Sequence, residues 1–391
     1  MRILHVVASY LPAVRYGGTI VSVHGLCKAL AARGHDVHVF TTSVDGPVDS
    51  PVPIATPVML DGVTVWYFQS RHLRRLYWAP ALGEALRRRI RDFDVLHTHA
   101  IYLWPLWAAA RHARAAGVPY VVSPRGMLEK ELIESKNAFW KAAVIGFIEH
   151  RNLEAAAAIH VTSQREADGA LKFGFNLPPL RKIPNGVELG SGAGAEPSPV
   201  IRALGSAAPF VLFLGRINWK KGIDRLIAAL AFAPALRLVL AGNDEDGEWP
   251  ILERRAVALG VAGRVTFVGP VHGADKAAIL RMAAVLVLPS YSENFGNVVL
   301  EAMAVGCPVV VTPEVGIAEV VADTNAGWVV DGKPAVLGAK LDEIVSSPAL
   351  RAEAGARGRA AVVRSFTWDR VAQQMEGVYQ EAIASATGGH P

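Results

Sequence analysis

Short apolar runs recur along the chain, and between them apolar residues repeat at helical spacing. Ile3 to Ala8 reads as a continuous strand, after which Ile20, Val23, Cys27 and Leu30 fall on one helical face and Gly34 supplies a stop. Val37 to Thr42, Val63 to Phe68, Val95 to His97, Tyr120 to Ser123 and Ala158 to Thr162 read as further strands, with helical patterns between several of them. A second series follows at Phe210 to Leu214, Arg237 to Ala241, Val265 to Val268, Val285 to Leu288, Val309 to Val311 and Gly327 to Val330. Near-continuous apolar strands separated by helices imply parallel sheets covered on both faces. The expected fold class is therefore α/β, with two Rossmann-like domains.

The turn Ile183-Pro184-Asn185-Gly186 and the small-residue stretch Gly190 to Pro199 mark the join between the two series. The expected division is residues 1–186, a linker over 187–207 and a second domain over 208–367. Trp368, Val371 and Met375 lie on one face of a terminal helix, about 368–391, which has to be buried against something. Ligands of such sheets bind beyond the carboxyl ends of the strands, so two facing domains would form a cleft.

Composition agrees with two cores: 391 residues, 51% hydrophobic and 19% charged, argue for compact domains and against disorder. Two cysteines, Cys27 and Cys307, in different expected domains, give neither a disulfide framework nor a metal spacing, so the expected location is the cytoplasm. Met1 to Pro12 reads as a first core strand rather than a signal peptide, and Ile101 to Ala110 is too short to cross a bilayer.

Charge changes the picture further. Residues 1–185 hold 22 Lys and Arg against 14 Asp and Glu, whereas the remainder holds 18 against 21. A basic half suits an anionic partner, either a membrane surface or a phosphorylated lipid carrier; nucleic acid is not expected, since no recognised binding module accompanies the charge. Arg71 to Arg75 and Arg87 to Arg91 carry much of the excess. The second cluster shares a helix with Leu82, Leu86 and Ile90, so it reads equally as a solvated face. Phe139, Ala143, Val144 and Phe147, with Lys136 and Lys141 alongside, fit either a core-facing helix or one lying in a bilayer interface.

The richest stretch is Pro289 to Val311, PSYSENFGNVVLEAMAVGCPVVV. It reads as a polar loop, Ser290 to Gly296, entering a helix at Asn297 whose first N–H groups lack intrahelical partners. Such a terminus beside a glycine suits a phosphate. Glu293 in the loop and Glu301 about a turn inside the helix can accept hydrogen bonds from sugar hydroxyls. This run closely resembles the Glu-x7-Glu motif of the retaining GT-B glycosyltransferases, the group 1 or family 4 type, and EAMAVGCPVV resembles that family's continuation. The resemblance spans nearly the whole chain and includes bacterial polysaccharide enzymes. It implies a GT-B fold whose last helix crosses back to the first domain.

It also implies roles. Glu293 would meet the donor-sugar hydroxyls, Glu301 the ribose, and Asn294, Phe295, Gly296 and Asn297 would offer backbone N–H groups. Phe213 to Gly222, FLGRINWKKG, follows a strand and opens a helix as phosphate loops do. By resemblance, Arg216 and Lys221 bind the donor pyrophosphate, where fixed cations would stabilise the departing charge. Gly17-Gly18 resembles the family's glycine-rich loop beside donor and acceptor, and lacks the GxGxxG spacing of a dinucleotide site.

In Val95-Leu96-His97-Thr98-His99, His99 best matches the family's histidine near the reacting sugar, although alternation alone does not separate it from His97. Two histidines so spaced could also hold a metal, but Asp94 is the lone nearby carboxylate, and no metal is expected. Ser123 to Glu129, SPRGMLE, resembles a segment of some bacterial polysaccharide glycosyltransferases; Arg125 is either an acceptor-anion ligand or part of a surface loop. Gly242 to Gly247, GNDEDG, departs from the family's Gly-x-Gly-Pro turn and would make an acidic wall to the donor site.

The expected catalytic set is thus His99, Arg216, Lys221 and Glu293. The expected activity is transfer of a hexose from a nucleotide diphosphate sugar to a saccharide or lipid-linked acceptor. The alternatives are a GT-B nucleotide-sugar epimerase or phosphorylase, and a non-catalytic partner protein that binds sugar nucleotides.

Overall fold

The computed structural model describes residues 1–13, 15, 17–128, 148–190, 196–205, 209–244 and 246–387. It divides into two compact units, Met1–Gly186 with Trp368–Pro391, and Val187–Thr367. The second unit begins and ends at paired residues, Val187 bridging Thr367. Part of the expected linker is therefore structure of that unit, because Pro199–Gly205 is a helix whose Ile201 and Leu204 are buried.

The first unit holds β1 (Arg2–Ser9), β2 (Asp36–Thr42), β3 (Val44–Asp45), β4 (Val48–Asp49), β5 (Pro57–Leu60), β6 (Val63–Phe68), β7 (Val95–His99), β8 (Tyr120–Ser123), β9 (Ala158–Val161) and β10 (Leu180–Lys182). Eight of these form one sheet in the order β10-β9-β8-β7-β1-β2-β6-β5. All its pairings are parallel except β5 with β6. The exception has a local cause: Asp61 and Gly62, both at positive φ, make the two-residue turn that favours a hairpin. Pro57 is tolerated because β5 is an edge strand.

Strand alternation sends neighbours to opposite faces. Leu4, Leu96 and Val122 pack with Leu82, Leu86 and Leu106 of the helices Pro80–Arg89 and Trp104–Ala116. Ile3, Val95 and Val121 pack instead with Val23, Leu26 and Leu30 of the helix Gly18–Ala32, and with Val371, Met375 and Tyr379 of the helix Trp368–Thr387. The terminal helix thus closes the core of the first unit. Arg33 fastens it through Asp369 at 2.8 Å and Glu376 at 2.6 Å.

The second unit contains β11 (Phe210–Leu214), β12 (Arg237–Ala241), β13 (Val265–Gly269), β14 (Val285–Leu288), β15 (Val309–Val311) and β16 (Gly327–Val329), in the order β13-β12-β11-β14-β15-β16. Every pairing is parallel, and β11, β14 and β15 are wholly buried. The chain order reverses direction beside β11 and β14, and loops leaving such a switch point define a ligand crevice.

The clustered arginines fit the solvated-face reading, Arg87 and Arg88 being 63% and 69% exposed. Arg87 and Arg88 both pair with Glu84, at 2.6 and 2.5 Å, Arg89 stacks over Trp66 at 4.6 Å, and Arg74 pairs with Asp49 at 2.9 Å. Much of the clustered positive charge is thus engaged within the unit. The stretch 139–148 lies, except for Ile148, outside the described residues. Among those described, no helix is long and apolar enough to cross a membrane.

Candidate active site

In the second unit, the loops after β11 and β14 are locked together by backbone. Gly222 closes the turn at φ 65, where a Cβ would lie 2.0 Å from the Pro289 carbonyl oxygen. Tyr291 N–H donates to the Lys220 carbonyl at 2.7 Å. Only glycine allows this approach and this φ together. A third loop joins them: Glu293 N–H donates to the Glu314 carbonyl at 3.2 Å, and the Glu293 and Phe295 carbonyls accept from Gly316 and Ile317, each at 2.9 Å. The Glu293 segment is therefore fixed like a short strand.

On this frame Lys221 Nζ donates to Glu293 Oε2, both side chains being about one-fifth exposed, 20% and 19%. Arg216 is exposed, and among the described residues it has no hydrogen-bond or ion-pair partner. Phe295 is buried and Gly296, at φ 97, caps the helix Asn297–Ala304; neither of their N–H groups donates to any described residue. An exposed cation, a paired lysine and open N–H groups at a helix start can together receive a diphosphate. Glu301 sits on that helix and accepts from Lys276 Nζ at 2.7 Å.

The expected acidic wall is different in detail. Asp244 accepts from the N–H groups of Glu248 and Trp249, at 2.8 and 3.0 Å, and so caps the helix Trp249–Ala258. Asp246 holds the Asn218 amide, while Glu245 lies outside the described residues. Asp244 thus spends its hydrogen bonds on the helix start, and Asp246 on the turn after β11.

In the first unit Gly17 takes φ 63 and ψ −126 and Gly18 begins its helix, so the pair does form the turn after β1. His99 ends β7, but its ring is fully buried. Its Nε2 pairs with His5 Nδ1 at 2.9 Å and its Nδ1 with Arg125 at 3.1 Å. Both ring nitrogens of His99 are therefore committed inside the unit, and Arg125 follows beyond the end of β8. His97 is also buried, bonded through Nδ1 to the Tyr379 hydroxyl at 2.7 Å, and His160 Nε2 donates to the Ile183 carbonyl at 2.9 Å.

Register explains the gathering. His5 lies opposite His97 in the parallel pairing of β1 with β7, so both imidazoles project to the face that the terminal helix covers. Burial, reinforced by the Arg125 guanidinium, lowers the pKa of His5 and His160 to about 3 and holds His97 and His99 well below the usual imidazole range. One nitrogen from each of His5, His97 and His99 falls within 4.8 Å of the others. Neutral imidazoles so placed can ligate a cation, yet the adjacent guanidinium repels one, and among the described residues no carboxylate joins the set.

Sequence reasoning missed His5, His160, Tyr379, Asn185, Lys276 and the Glu314–Ile317 turn. A histidine inside the apolar run Ile3 to Ala8 was a usable signal, since a buried imidazole needs partners. Lys276 and the turn offered none, because their approach depends on tertiary packing.

Comparison with known proteins agrees with this layout. Residues 199–361 match the family model described as "Glycosyl transferases group 1", and residues 17–186 match "Glycosyl transferase 4-like domain". The D-inositol 3-phosphate glycosyltransferase of Xylanimonas cellulosilytica is 30% identical over 388 residues, covering 94% of this chain and 92% of its own. The chain belongs to the group 1 glycosyltransferases. This group 1 enzyme is also 29% identical to the phosphatidyl-myo-inositol mannosyltransferase of Mycobacterium leprae, over 95% of each chain. Among solved structures, the sucrose-phosphate synthase of Thermosynechococcus elongatus superposes with a TM-score of 0.76 at 25% identity, covering 98% and 99% of the two chains. The fold of this group 1 glycosyltransferase is GT-B.

Proposed function

We propose that this glycosyltransferase is a retaining, metal-independent hexosyltransferase using a nucleotide diphosphate sugar and acting in cell-surface polysaccharide or glycoconjugate synthesis. The observation that carries the donor side is the convergence of Arg216, Lys221, Glu293 and the open N–H groups of Phe295 and Gly296 on one end of one sheet. Arg216 and Lys221 bind the diphosphate and stabilise the charge that develops as the C1–oxygen bond to phosphate breaks. Glu293 orients the hexose, and Glu301 takes the ribose. The acceptor hydroxyl forms its new bond to C1 on the face the phosphate leaves, and its proton passes to a departing phosphate oxygen. No metal is required, since the cations are supplied by the chain.

The first unit receives the acceptor, a saccharide or a lipid-linked saccharide. Relatives named for inositol phosphate and phosphatidyl-inositol support a polyol acceptor. The protein works in the cytoplasm, a location supported by two free, buried cysteines, and meets lipid-linked acceptors at the inner membrane face.

The test is turnover. Purified protein is incubated with a panel of nucleotide sugars, with and without saccharide acceptors and in the presence of EDTA, and the anomeric configuration of the product is read by NMR. Acceptor-dependent formation of the donor's own anomer is expected, and loss of it in Lys221→Ala and Glu293→Ala. Epimerised nucleotide sugar without acceptor, or no product at all, rejects the reading.

A further inference from the structure

Arg125 is a cation packed into the first unit without a carboxylate in contact. It follows β8 after Pro124, its backbone held in the left-handed region at φ 55, and its side chain turns into the protein. Nη1 donates to Asn185 Oδ1 at 2.8 Å and Nη2 to His99 Nδ1 at 3.1 Å, while Nε is buried and has no partner. Both bonded partners are neutral.

The neighbouring acid is spent elsewhere. Glu166 gives Oε1 to Gly126 N–H at 2.6 Å and Oε2 to Thr162 N–H and Oγ1, at 2.7 and 2.8 Å. Among the described residues the bonded partners of Arg125 include no carboxylate. Glu166 therefore offsets the guanidinium only through space, and a buried cation without a direct ion pair is a candidate to receive an anion.

The histidines below it act as an aiming device. Because Arg125 donates to His99 Nδ1, the His99 proton sits on Nε2 and is donated to His5 Nδ1 at 2.9 Å. One tautomer is thereby selected through two strands, and the planar fork is held from below and from the side. A guanidinium has five N–H groups, and two are used in this anchoring. Arginine rather than lysine suits bidentate capture of a planar or tetrahedral oxyanion.

We propose that Arg125, aimed by His99 and Asn185 as positioning residues, recognises an oxyanion carried by the acceptor, a phosphate or a carboxylate. The proposal rests on the reading of the chain as a sugar transferase and narrows its acceptor to an anionic saccharide or a phosphorylated polyol. The donor diphosphate has its own cations in the second unit.

The test isolates this site from the donor. In protein carrying Arg216→Ala and Lys221→Ala, thermal unfolding and titration calorimetry are followed with methyl phosphate and with methyl glucuronide as probes. A concentration-dependent rise in Tm with at least one probe is expected, because a ligand bound to the folded state alone raises apparent stability. The stronger probe identifies the group. Adding Arg125→Gln should abolish the rise, Arg125→Lys should weaken binding about tenfold, and His99→Gln, which keeps an acceptor for the guanidinium, should retain more binding than His99→Leu. Equal shifts with and without Arg125, or none with either probe, overturn the proposal. Failure of the transferase reading would show separately, as absence of product from every nucleotide sugar.

Discussion

Lys221 Nζ donates to Glu293 Oε2, tying the turn after β11 to the loop after β14. The contact joins the group assigned to the leaving phosphate with the group assigned to the sugar. Each spends part of its hydrogen-bonding capacity on the other. Glu293→Gln should therefore bind a bare nucleoside diphosphate more tightly, by about fivefold if the pair contributes about 1 kcal/mol, since Lys221 is freed. The same variant should bind the intact nucleotide sugar less well and lose about 100-fold in kcat, the usual scale for removing one preorganised group. Calorimetry with both ligands checks this. Weakening of both to the same extent would show that the contact is not a competition.

Gly222 sets where that lysine stands. At φ 65 and with a Cβ placed 2.0 Å from a backbone oxygen, Gly222→Ala has to move either the turn or Pro289. The cost is about 2 kcal/mol or more, and the shift carries Lys221 with it. Gly117, also at positive φ but with open space around its Cβ, is the control. Gly117→Ala should lower stability alone, whereas Gly222→Ala should also raise the donor KM by an order of magnitude or more.

The two series of apolar strands were legible because parallel strands buried on both faces carry their hydrophobicity without interruption. The loop from Ser290 and the turn to Gly222 were legible because each enters its helix through a glycine at positive φ. The edge strand β5 alternates exposed and half-buried positions over four residues, too weak a pattern, although Asp61-Gly62 signalled its hairpin. His99 was legible as the end of its strand, but its burial and its partners were not. Strand alternation gives a face but not what covers it: Arg125, from beyond β8, bonds His99, and Tyr379, 282 residues further along, bonds His97. Lys276 and Asp244 were invisible for the same reason: a side chain's partner is a tertiary fact.

Five buried histidines, His5, His38, His97, His99 and His160, make stability depend on pH. His5 and His160 have folded pKa values of about 3 against an ordinary 6.5, and His97 and His99 shift the same way. A lowered imidazole pKa means that the unfolded chain binds the proton first. The stabilisation is complete above pH 6.5 and is lost as pH falls toward 3, at about 1.4 kcal/mol per pH unit for each group. Glu149, whose pKa burial raises, works in the opposite sense, whereas His38 and His112, both lowered chiefly by burial, act with the cluster. Urea midpoints should drop steeply between pH 7 and 5. His160→Gln keeps a donor for the Ile183 carbonyl and removes the titration, so its slope should be smaller by about one proton. A flat profile would mean that the cluster is already charged or hydrated.

Trp368 is seated between two glycines, and that reverses an ordinary substitution rule. A Cβ on Gly25 would lie 2.2 Å from the Trp368 ring, and one on Gly186 would lie 2.6 Å from it and 2.9 Å from the Trp368 Cα. Gly25 is inside the helix Gly18–Ala32, where alanine in place of glycine normally stabilises by about 1 kcal/mol. Here overpacking against the terminal helix should outweigh that gain and leave a net loss of about 1–2 kcal/mol. Trp368→Leu alone should also destabilise, by leaving space over both glycines. Combined with Gly25→Ala it should cost less than the sum, because the added methyl occupies part of the vacated volume. Urea unfolding of the two single variants and the double variant measures the coupling. Additive losses would show that the terminal helix shifts freely on the first unit, and that its bonds to Arg33, rather than the tryptophan, hold it in register.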